Sequence, residues 1–298
     1  MRKWMLWTSA VVIALAAAYD WMVLDTRLPK GHYSLDLAEL RRLANSIPGP
    51  KPRDIRVERV ATFEFPEAVT VAGGSWKTVQ GPAISYQIVY PNGTVIVDTA
   101  MDEAVTKAMG RATFHPEPYA RMIQAMSQAS LILITHEHPD HIGGIASFPD
   151  KQRLVPVVRL TREQAAHPEQ AAPATMTPGV FQILDYNDMA AVAPGIAVIK
   201  SPGHTPGSQM VFVQREDGVE YLLLGDVAWA FASVEKEKAR PRFISSFMLH
   251  EDRGAVMLEL AALHRLHDAE PNLHMLAGHD GAPIDALEKQ GLLIERFQ

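Results

Sequence analysis

The stretch that decides the fold and the chemistry of this chain is residues 135–144, Thr135-His136-Glu137-His138-Pro139-Asp140-His141-Ile142-Gly143-Gly144. Three histidines and one aspartate fall within six residues, directly after a short apolar run that is typical of a buried strand. Because alternate residues of an extended backbone point to the same side, we expect His136 and His138 to face one point. Imidazole and carboxylate groups together suit zinc or another borderline divalent metal. The stretch therefore predicts a metal site at the end of a strand.

The residues after the two alternate histidines extend this pattern into a turn. Asp140 and His141 follow where the chain can aim them at a second point, and the Gly143-Gly144 pair allows a tight turn into the next helix. Glu137 points to the opposite side of the strand, so we expect its side chain to be solvated. A solvated histidine-rich turn without chemistry is the alternative, and the apolar strand in front of the cluster weighs against it.

The composition narrows the class of protein. Hydrophobic residues make up 47% and charged residues 21% of the 298 residues, which indicates a globular chain with one large domain or two small ones. The formal net charge is −6 and no run of lysine and arginine occurs, so a nucleic-acid partner is not expected. The absence of cysteine excludes disulfides, thiolate metal ligands and a cysteine nucleophile.

The N-terminus has the pattern of an export signal. Arg2-Lys3 precedes an apolar run from Trp4 to Tyr19, and Ala16-Ala17-Ala18 offers a cleavage site of small residues. The run is short for a membrane span of ~20 residues. We therefore interpret residues 1–24 as a signal peptide, with an uncleaved signal anchor as the alternative, and expect the rest of the chain to be exported. The expected location is the periplasm, or the outer face of the inner membrane with the N-terminus as a membrane tether.

The next segment, residues 25–57, is expected to be a connector with one short helix. Ser34 is in position to cap this helix, and the proline-rich stretch 47–52 ends it because proline cannot continue a regular element.

Residues 58–298 are expected to form the main domain. Ile84–Tyr90 and Thr94–Asp98, joined by Pro91-Asn92-Gly93, predict a β-hairpin. Strands followed by helices occur twice along this part of the chain, which suggests two β-rich halves covered by helices on the outside.

The histidine cluster also allows a family resemblance to be stated. His136-x-His138-x-Asp140-His141 resembles the signature of the metallo-β-lactamase superfamily. Four further motifs resemble those of the family and occur in its order, namely Val95–Thr99, Ser201–Ser208, Leu224–Asp226 and Ala277–Asp280. The resemblance covers roughly residues 58–292 and implies an α/β fold, the four-layer αββα sandwich of that family.

The resemblance also implies a site for two divalent metal ions, expected to be zinc. The implied ligands of the first ion are His136, His138 and His204, those of the second are Asp140, His141 and His279, and Asp226 bridges the two. The alternatives are that His204 is an ordinary loop histidine and that Asp226 caps the following segment. Asp98 is implied to support the site from outside by hydrogen bonds.

The implied activity is a hydrolysis of a small-molecule substrate. Two ions that share a water lower its pKa toward ~7, so hydroxide is available to attack an ester-type carbonyl. Asp226 or Asp140 is the candidate to carry a proton to the leaving group. A lactone is the expected substrate, because the motif order resembles that of acyl-homoserine lactonases. The alternatives are a thioesterase of glyoxalase II type or a β-lactam hydrolase, and a non-catalytic exported metal-binding protein is the rival of another class. The sequence leaves the oligomeric state open.

One position departs from the lactonase pattern. Lactonases often place a tyrosine three residues after the bridging aspartate, and this chain has Trp229 there. An indole N–H donates a hydrogen bond but cannot accept one or relay a proton. The surrounding stretch 228–248 mixes aromatic and basic residues, and it is expected to be either a lid over the site, with Trp229, Phe231, Phe243 and Phe247 as apolar walls, or a plain surface insertion.

Overall fold

Two β-sheets pack face to face in this chain, which is described by a computed structural model over residues 2–166 and 181–298. Among these residues the first sheet contains eight strands: β1 (Asp54–Pro66), β2 (Thr78–Tyr90), β3 (Gly93–Val97), β4 (Ala112–Phe114), β5 (Leu131–Leu133), β6 (Val158–Leu160), β7 (Gln182–Ile183) and β13 (Ile294–Glu295). The second contains five: β8 (Met189–Ala193), β9 (Ile196–Lys200), β10 (Gln209–Gln214), β11 (Glu220–Leu223) and β12 (Leu273–Leu276).

The helices of the described residues lie mainly on the outer faces of the sheets. They are α1 (Arg2–Tyr19), α2 (Leu37–Ala44), α3 (Glu103–Met109), α4 (Pro116–Met126), α5 (Pro139–Ser147), α6 (Arg162–Ala166), α7 (Ala232–Glu235), α8 (Arg253–Ala269) and α9 (Gly281–Lys289). Short 3-10 turns cover Glu67–Val69, Lys151–Arg153 and Gly225–Val227, and π-helical turns cover Asp20–Leu24 and Phe243–Met248.

The strand order shows how the chain builds the sheets. The first sheet runs β13-β1-β2-β3-β5-β6-β7, with β4 beside β1, and the second runs β12-β11-β10-β9-β8. The predicted hairpin is confirmed, because β2 and β3 pair antiparallel with Tyr90 opposite Gly93. β3 then pairs in parallel with β5, and Val97 lies opposite Leu133. This register brings the residues that follow both strands to the same edge of the sheet.

Three hydrophobic clusters separate four layers. The cluster between the sheets joins side chains such as Ile88 of the first sheet to Val211 of the second. On the outer face of the first sheet, Ile132 packs with α4 and α5. On the outer face of the second, Phe212 packs with α2 and α8. Each fully buried aliphatic or aromatic side chain contributes roughly 1.5–3 kcal/mol through removal from water. The predicted αββα sandwich is therefore confirmed.

The helix in segment 25–57 differs from the sequence prediction at its start. Asp36, not Ser34, is the N-cap, and its carboxylate accepts a hydrogen bond from the Glu39 amide at 3.0 Å. The reason is that the helix begins where its apolar side begins, at Leu37, and Asp36 directly precedes that residue. The buried Leu40 packs this helix on the second sheet, so the segment forms part of the outer layer.

The N-terminal helix stands outside this sandwich. Trp4–Leu24 is long and apolar enough to cross a membrane, and none of its window is buried in the structure. By length and composition such a helix suits either a membrane span or a signal sequence.

Candidate metal centre

The structure brings all seven predicted ligand residues to one edge of the two sheets. His136 and His138 follow β5, and α5 begins at Pro139 and carries Asp140 and His141 in its first turn. The other three lie beyond strands of the second sheet: His204 between β9 and β10, Asp226 in the turn after β11, and His279 after β12. Because these elements end at the same edge, residues far apart in sequence become neighbours.

The ligand residues form two groups around one shared carboxylate. In the first, ligand atoms of His136, His138, His204 and Asp226 lie within 4.8 Å of one another, and in the second those of Asp140, His141 and His279 do. Asp226 connects the groups. Its Oδ2 lies 3.4 Å from His204 Nε2, and its Oδ1 lies 3.4 Å from His279 Nε2.

The nitrogen atoms of the first group have the spacing that a tetrahedral metal requires. His136 Nε2 lies 3.1 Å from His138 Nδ1, and His204 Nε2 lies 2.9 Å from the same atom. Zn–N bonds of ~2.0–2.1 Å place neighbouring ligand nitrogens about 3.3 Å apart in a tetrahedral site. These imidazoles are therefore already arranged as ligands.

Hydrogen bonds at the far side of the rings select the form that can bind a metal. His279 Nδ1 lies 2.9 Å from the Pro82 carbonyl oxygen, which can only accept, so Nδ1 must carry the proton. His141 Nδ1 donates to Asp98 Oδ2 at 2.8 Å. A neutral imidazole protonated at Nδ1 has its lone pair at Nε2, and in both residues Nε2 faces the centre. The two rings are thus oriented for metal binding.

Two buried atoms at the centre have no hydrogen-bond partner among the described residues. They are Nε2 of His141 and Oδ1 of Asp226. Buried polar groups in proteins are nearly always satisfied, so atoms left without a partner indicate that another group belongs between them. The donor set of imidazoles and carboxylates fits divalent ions such as zinc. The residues present therefore fit a metal centre.

The charges around Asp226 are arranged to keep it ionised. Burial alone would raise the pKa of Asp226, but without a metal the protonated rings of His279 and His141 hold it well below its ordinary value. Against the effect of burial, Asp226 in turn raises the pKa of both histidines, and a bound cation would take the place of their Nε2 protons. Burial lowers the pKa of His138 to about 4, with a further contribution from His204, so His138 is neutral at pH 7. A carboxylate and a neutral imidazole are the forms that bind a cation.

Asp98 supports the centre from the neighbouring strand, as the sequence implied. Its Oδ1 accepts the Thr135 amide at 2.7 Å, and its Oδ2 accepts the Thr135 hydroxyl at 2.8 Å in addition to His141. Its φ of +59° lies in the left-handed region, which aspartate tolerates better than most residues. The register of β3 and β5 brings Asp98 to Thr135, so this contact follows directly from the strand pairing.

A glycine allows the segment after β12 to pass close to the Asp226 carboxylate. A Cβ at Gly278 would lie 2.2 Å from Asp226 Oδ1 and 2.9 Å from the Gly225 carbonyl oxygen. Any larger residue there would displace Asp226. The lack of space beside Asp226 therefore explains why glycine precedes His279.

A buried carboxylate that the sequence did not single out holds His204. Glu251 Oε1 accepts a hydrogen bond from His204 Nδ1 at 2.6 Å, and both side chains are fully buried. Arg240 Nε donates to the same oxygen at 3.1 Å, and Arg240 Nη2 donates to the Asp226 backbone oxygen at 2.7 Å. Burial alone would raise the pKa of Glu251, but the Arg240 guanidinium holds it below its ordinary value. Glu251 thus keeps His204 Nε2 free to bind a metal.

Glu259 is a second buried glutamate under the loop that carries His204, and its protonation state differs from that of Glu251. Glu259 Oε1 accepts a hydrogen bond from the Gly203 amide at 3.0 Å. Burial raises the pKa of Glu259 to about 8, because among the described residues no cation forms a salt bridge with it as Arg240 does with Glu251. One carboxyl is therefore ionised and the other is mostly neutral at pH 7.

Glu137 corrects one expectation from the sequence. It is fully buried rather than solvated. Its Oε2 accepts a hydrogen bond from the Thr205 hydroxyl at 2.8 Å, and its Oε1 accepts the Gly207 amide at 3.2 Å. The prediction was wrong because the side chain points away from its neighbouring histidines into the loop that carries His204, which covers that side of the strand.

The stretch 228–248 divides between the two expectations for it. Trp229 lies at the centre, where its indole N–H donates to Asp226 Oδ2 at 2.6 Å, and its ring lies 6.0 Å from Phe65. Phe231 instead packs against His267 at 5.1 Å, in the cluster under the second sheet. Phe247 is 58% exposed. Trp229 therefore forms part of the site, and Arg240 of the same stretch lies behind it, whereas Phe231 packs in the core and Phe247 lies at the surface.

Comparison with known proteins adds a family and its relatives. The model of the metallo-beta-lactamase superfamily matches residues 79–266. An N-acyl homoserine lactonase from a Bacillus species is 26% identical over 187 residues, which cover 61% of this chain and 68% of that protein. A solved N-acyl homoserine lactone lactonase described as quorum-quenching has a TM-score of 0.62 at 18% identity, over 83% of this chain and 99% of the other. An N-acyl homoserine lactone hydrolase solved with the product N-hexanoyl-L-homoserine at its catalytic metal centre has a TM-score of 0.61 at 17% identity, over 79% and 96%.

Proposed function

The chain belongs to the metallo-beta-lactamase superfamily, and from that membership we propose that it is a metal-dependent hydrolase of ester-type carbonyls, with a lactone as its substrate. The observation that carries the proposal is the position of the Asp226 carboxylate between the two ligand groups. The curated relatives that support the choice of substrate are N-acyl homoserine lactonases.

The proposed centre holds two divalent ions, with zinc as the expected metal. His136, His138 and His204 would hold one, Asp140, His141 and His279 would hold the other, and Asp226 would be shared. When bound, such a pair supplies a water activated for attack and a Lewis acid for the carbonyl oxygen.

The protein's own groups would guide the proton. In lactone hydrolysis the water oxygen bonds to the carbonyl carbon, the ring C–O bond breaks, and a proton from water ends on the released alkoxide oxygen. Asp226 and Asp140 are the carboxylates placed to pass that proton. The Asp140 side chain is 13% exposed and that of Asp226 only 2%, so Asp140 is the one that a substrate can reach more directly. Asp226 would take part in the proton transfer from the buried side of the site.

Trp229 orients the shared carboxylate and leaves little polar character on its side of the site. Its one N–H is already donated to Asp226, so it has no group left to bind a substrate carbonyl. The ring of Phe65 lies 6.0 Å from that of Trp229. The ring of Phe63 lies 5.4 Å from that of His279. This lining favours a substrate with an apolar group beside its ester, such as an acyl chain.

A substrate panel on the metal-loaded full chain tests the proposal. The panel contains an N-acyl homoserine lactone, an aliphatic thioester, a cephalosporin and a phosphodiester, and product formation is followed by mass spectrometry. We expect the lactone to be hydrolysed fastest. Faster turnover of the thioester or the cephalosporin would overturn the choice of lactone. No turnover of any member would favour an exported metal-binding protein without catalysis.

Two variants test whether the activity arises at this centre. His138→Ala and Asp226→Ala should lose bound metal and lactone hydrolysis together, as measured by elemental analysis and by the same assay. Lys107→Ala is the matched control, because its side chain is 73% exposed and pairs with Glu103, away from the metal ligands. Full activity in either metal-site variant would contradict the assignment.

We further propose that the protein is exported, with residues 1–24 as signal peptide or anchor, 25–57 as connector and 58–298 as the hydrolase domain. The exposed apolar helix Trp4–Leu24 supports this. Protease treatment of intact cells whose outer barrier has been opened should degrade the hydrolase domain. Complete protection under conditions that spare cytoplasmic markers would contradict export.

A further inference from the structure

An exposed apolar surface lies where the N-terminal helix meets the hydrolase domain. The solvent-exposed fractions are 58% for Phe247, 64% for Met248, 68% for Trp76, 45% for Trp21 and 41% for Leu24. Large apolar side chains that cluster at a surface usually mark an interaction site. We refer to these five residues as the aromatic patch.

Direct contacts join the end of the helix to the patch. The rings of Trp21 and Phe247 lie 6.3 Å apart in an edge-to-face arrangement. The Arg242 guanidinium lies 4.8 Å above the Trp21 ring, and Arg242 also pairs with Asp25 at 3.1 Å. The chain leaving the helix is therefore held against the turn that carries Phe247 and Met248.

The loop with Trp76 lies on the same side. A Cβ at Gly73 would lie 3.7 Å from the Leu24 side chain, and the Ala72 amide donates to the Ala239 carbonyl oxygen at 3.0 Å. Trp76 follows three residues later and is followed in turn by the exposed Lys77. Tryptophan beside lysine is the pattern of residues that lie at a membrane–water boundary.

We propose that, in protein that keeps residues 1–24, the aromatic patch docks the hydrolase domain on the lipid bilayer that receives the N-terminal helix; this rests on the anchor alternative of the proposed export. The helix is 21 residues long, apolar, and without any buried residue in its window, so the chain itself supplies a segment suited to lipid. The patch begins at the last turns of that helix, so a bilayer that surrounds the helix must meet the patch. Docking does not depend on which reaction the metal centre catalyses.

Buried contacts fix the orientation of the docked domain. Arg253 donates to the Asp25 backbone oxygen at 2.5 Å, to the Ser245 hydroxyl at 3.1 Å and to the Arg240 backbone oxygen. The patch is thereby attached both to the end of the helix and to the arginine that pairs with Glu251. The bilayer would lie on the side of the domain that carries these arginines, and the domain would not swing freely on a tether.

The test uses the absence of cysteine in the full chain. Met248→Cys and Trp76→Cys are each labelled with a nitroxide and reconstituted in vesicles of phosphatidylcholine and phosphatidylglycerol. Glu216→Cys is the control, because its side chain is 53% exposed and lies in the turn before β11, at the opposite end of that strand from Asp226. Electron paramagnetic resonance then compares collision of each label with oxygen, which enters lipid, and with a water-soluble nickel chelate.

We expect the labels at 248 and 76 to collide more with oxygen than with nickel, and the label at 216 to show the reverse ratio. If all three labels behave as the one at 216 does, the domain is only tethered and the proposal is wrong. Immobilised or dipole-broadened spectra at 248 in detergent, without vesicles, would show that a second copy of this chain covers the patch, which also overturns the proposal.

Discussion

Replacing Glu251 by glutamine should lower both the stability of the fold and the metal affinity, because its buried carboxylate contacts both His204 and Arg240. Glu251 accepts from His204 Nδ1 at 2.6 Å and pairs with Arg240, whose side chain is 1% exposed. The amide of glutamine can still accept from His204, but it carries no charge to balance Arg240. The substitution therefore leaves a guanidinium buried without a counter-charge.

The size of the effect follows from these contacts. Removing one partner of a buried ion pair costs about 3–5 kcal/mol. This is a large share of the free energy of unfolding of a typical protein, which is roughly 5–15 kcal/mol. Loss of the outer carboxylate from a metal-binding histidine lowers metal affinity about 10–100-fold. For Glu251→Gln we therefore expect a lower free energy of unfolding, measured in chelator-treated protein. We also expect a lower metal affinity, measured by metal titration.

Glu259→Gln is the matched control for this experiment. Glu259 is also buried in the same region, but its pKa of about 8 means that it already holds a proton at pH 7. Glutamine replaces a neutral group by a neutral group, so this variant should be at least as stable as the parent. Urea unfolding followed by circular dichroism measures stability, and competition with a chromophoric chelator measures metal affinity.

The result that would refute the reasoning is Glu251→Gln with the urea midpoint and the metal affinity of the parent. A loss of stability with unchanged metal affinity would restrict Glu251 to balancing Arg240. In that case His204 would not depend on Glu251 for its orientation.

Three further predictions concern the metal centre and the buried glutamate beneath its loop. Asp98→Asn removes the charge that accepts from His141 Nδ1 and should lower metal affinity about 10–100-fold; full metal retention after dialysis against a competing chelator would contradict this. Trp229→Phe removes a hydrogen bond to a carboxylate worth roughly 1.5–3 kcal/mol, so kcat/KM should fall about 10–100-fold; an unchanged value in the lactone assay would show that the indole does not orient Asp226. Because the pKa of Glu259 rises from 4.5 to about 8 on folding, the folded state keeps a proton that the unfolded state releases, and the parent loses stability relative to Glu259→Gln as pH rises through this range. Urea midpoints of both chelator-treated proteins at about pH 5 and about pH 8 measure that difference, and a constant difference would refute the assigned pKa.

The parts of the fold that could be predicted have local signals. The hairpin of β2 and β3 is encoded by two apolar runs around an asparagine-glycine turn, and the repeated strand and helix patterns predict two β-rich halves covered by helices. The four-layer αββα arrangement itself was implied by the family resemblance. The start of α2 shows the limit of such reasoning. Ser34 and Asp36 are both acceptable caps, and the packing of Leu37 on the second sheet selects Asp36.

The candidate metal ligands could be predicted because ligand chemistry limits the choice of residue and short motifs preserve the spacing. The sequence by itself therefore determined which imidazoles and carboxylates are candidates, and the family whose fold unites them. Apart from Asp98, which the resemblance implied, it did not determine the partners of these groups. Glu251 lies 47 residues from His204 and the buried Glu137 lies 68 residues from Thr205, distances over which no periodic pattern operates.

The tertiary structure also decided the charge of each buried glutamate. Glu251 and Glu259 are the same residue type in the same region, yet one is ionised beside Arg240 and the other is neutral. The physical reason is that a carboxyl group's protonation depends on desolvation and on the charges within a few ångströms. Those neighbouring charges are brought together by the packing of distant segments, so they cannot be predicted from the sequence around either glutamate.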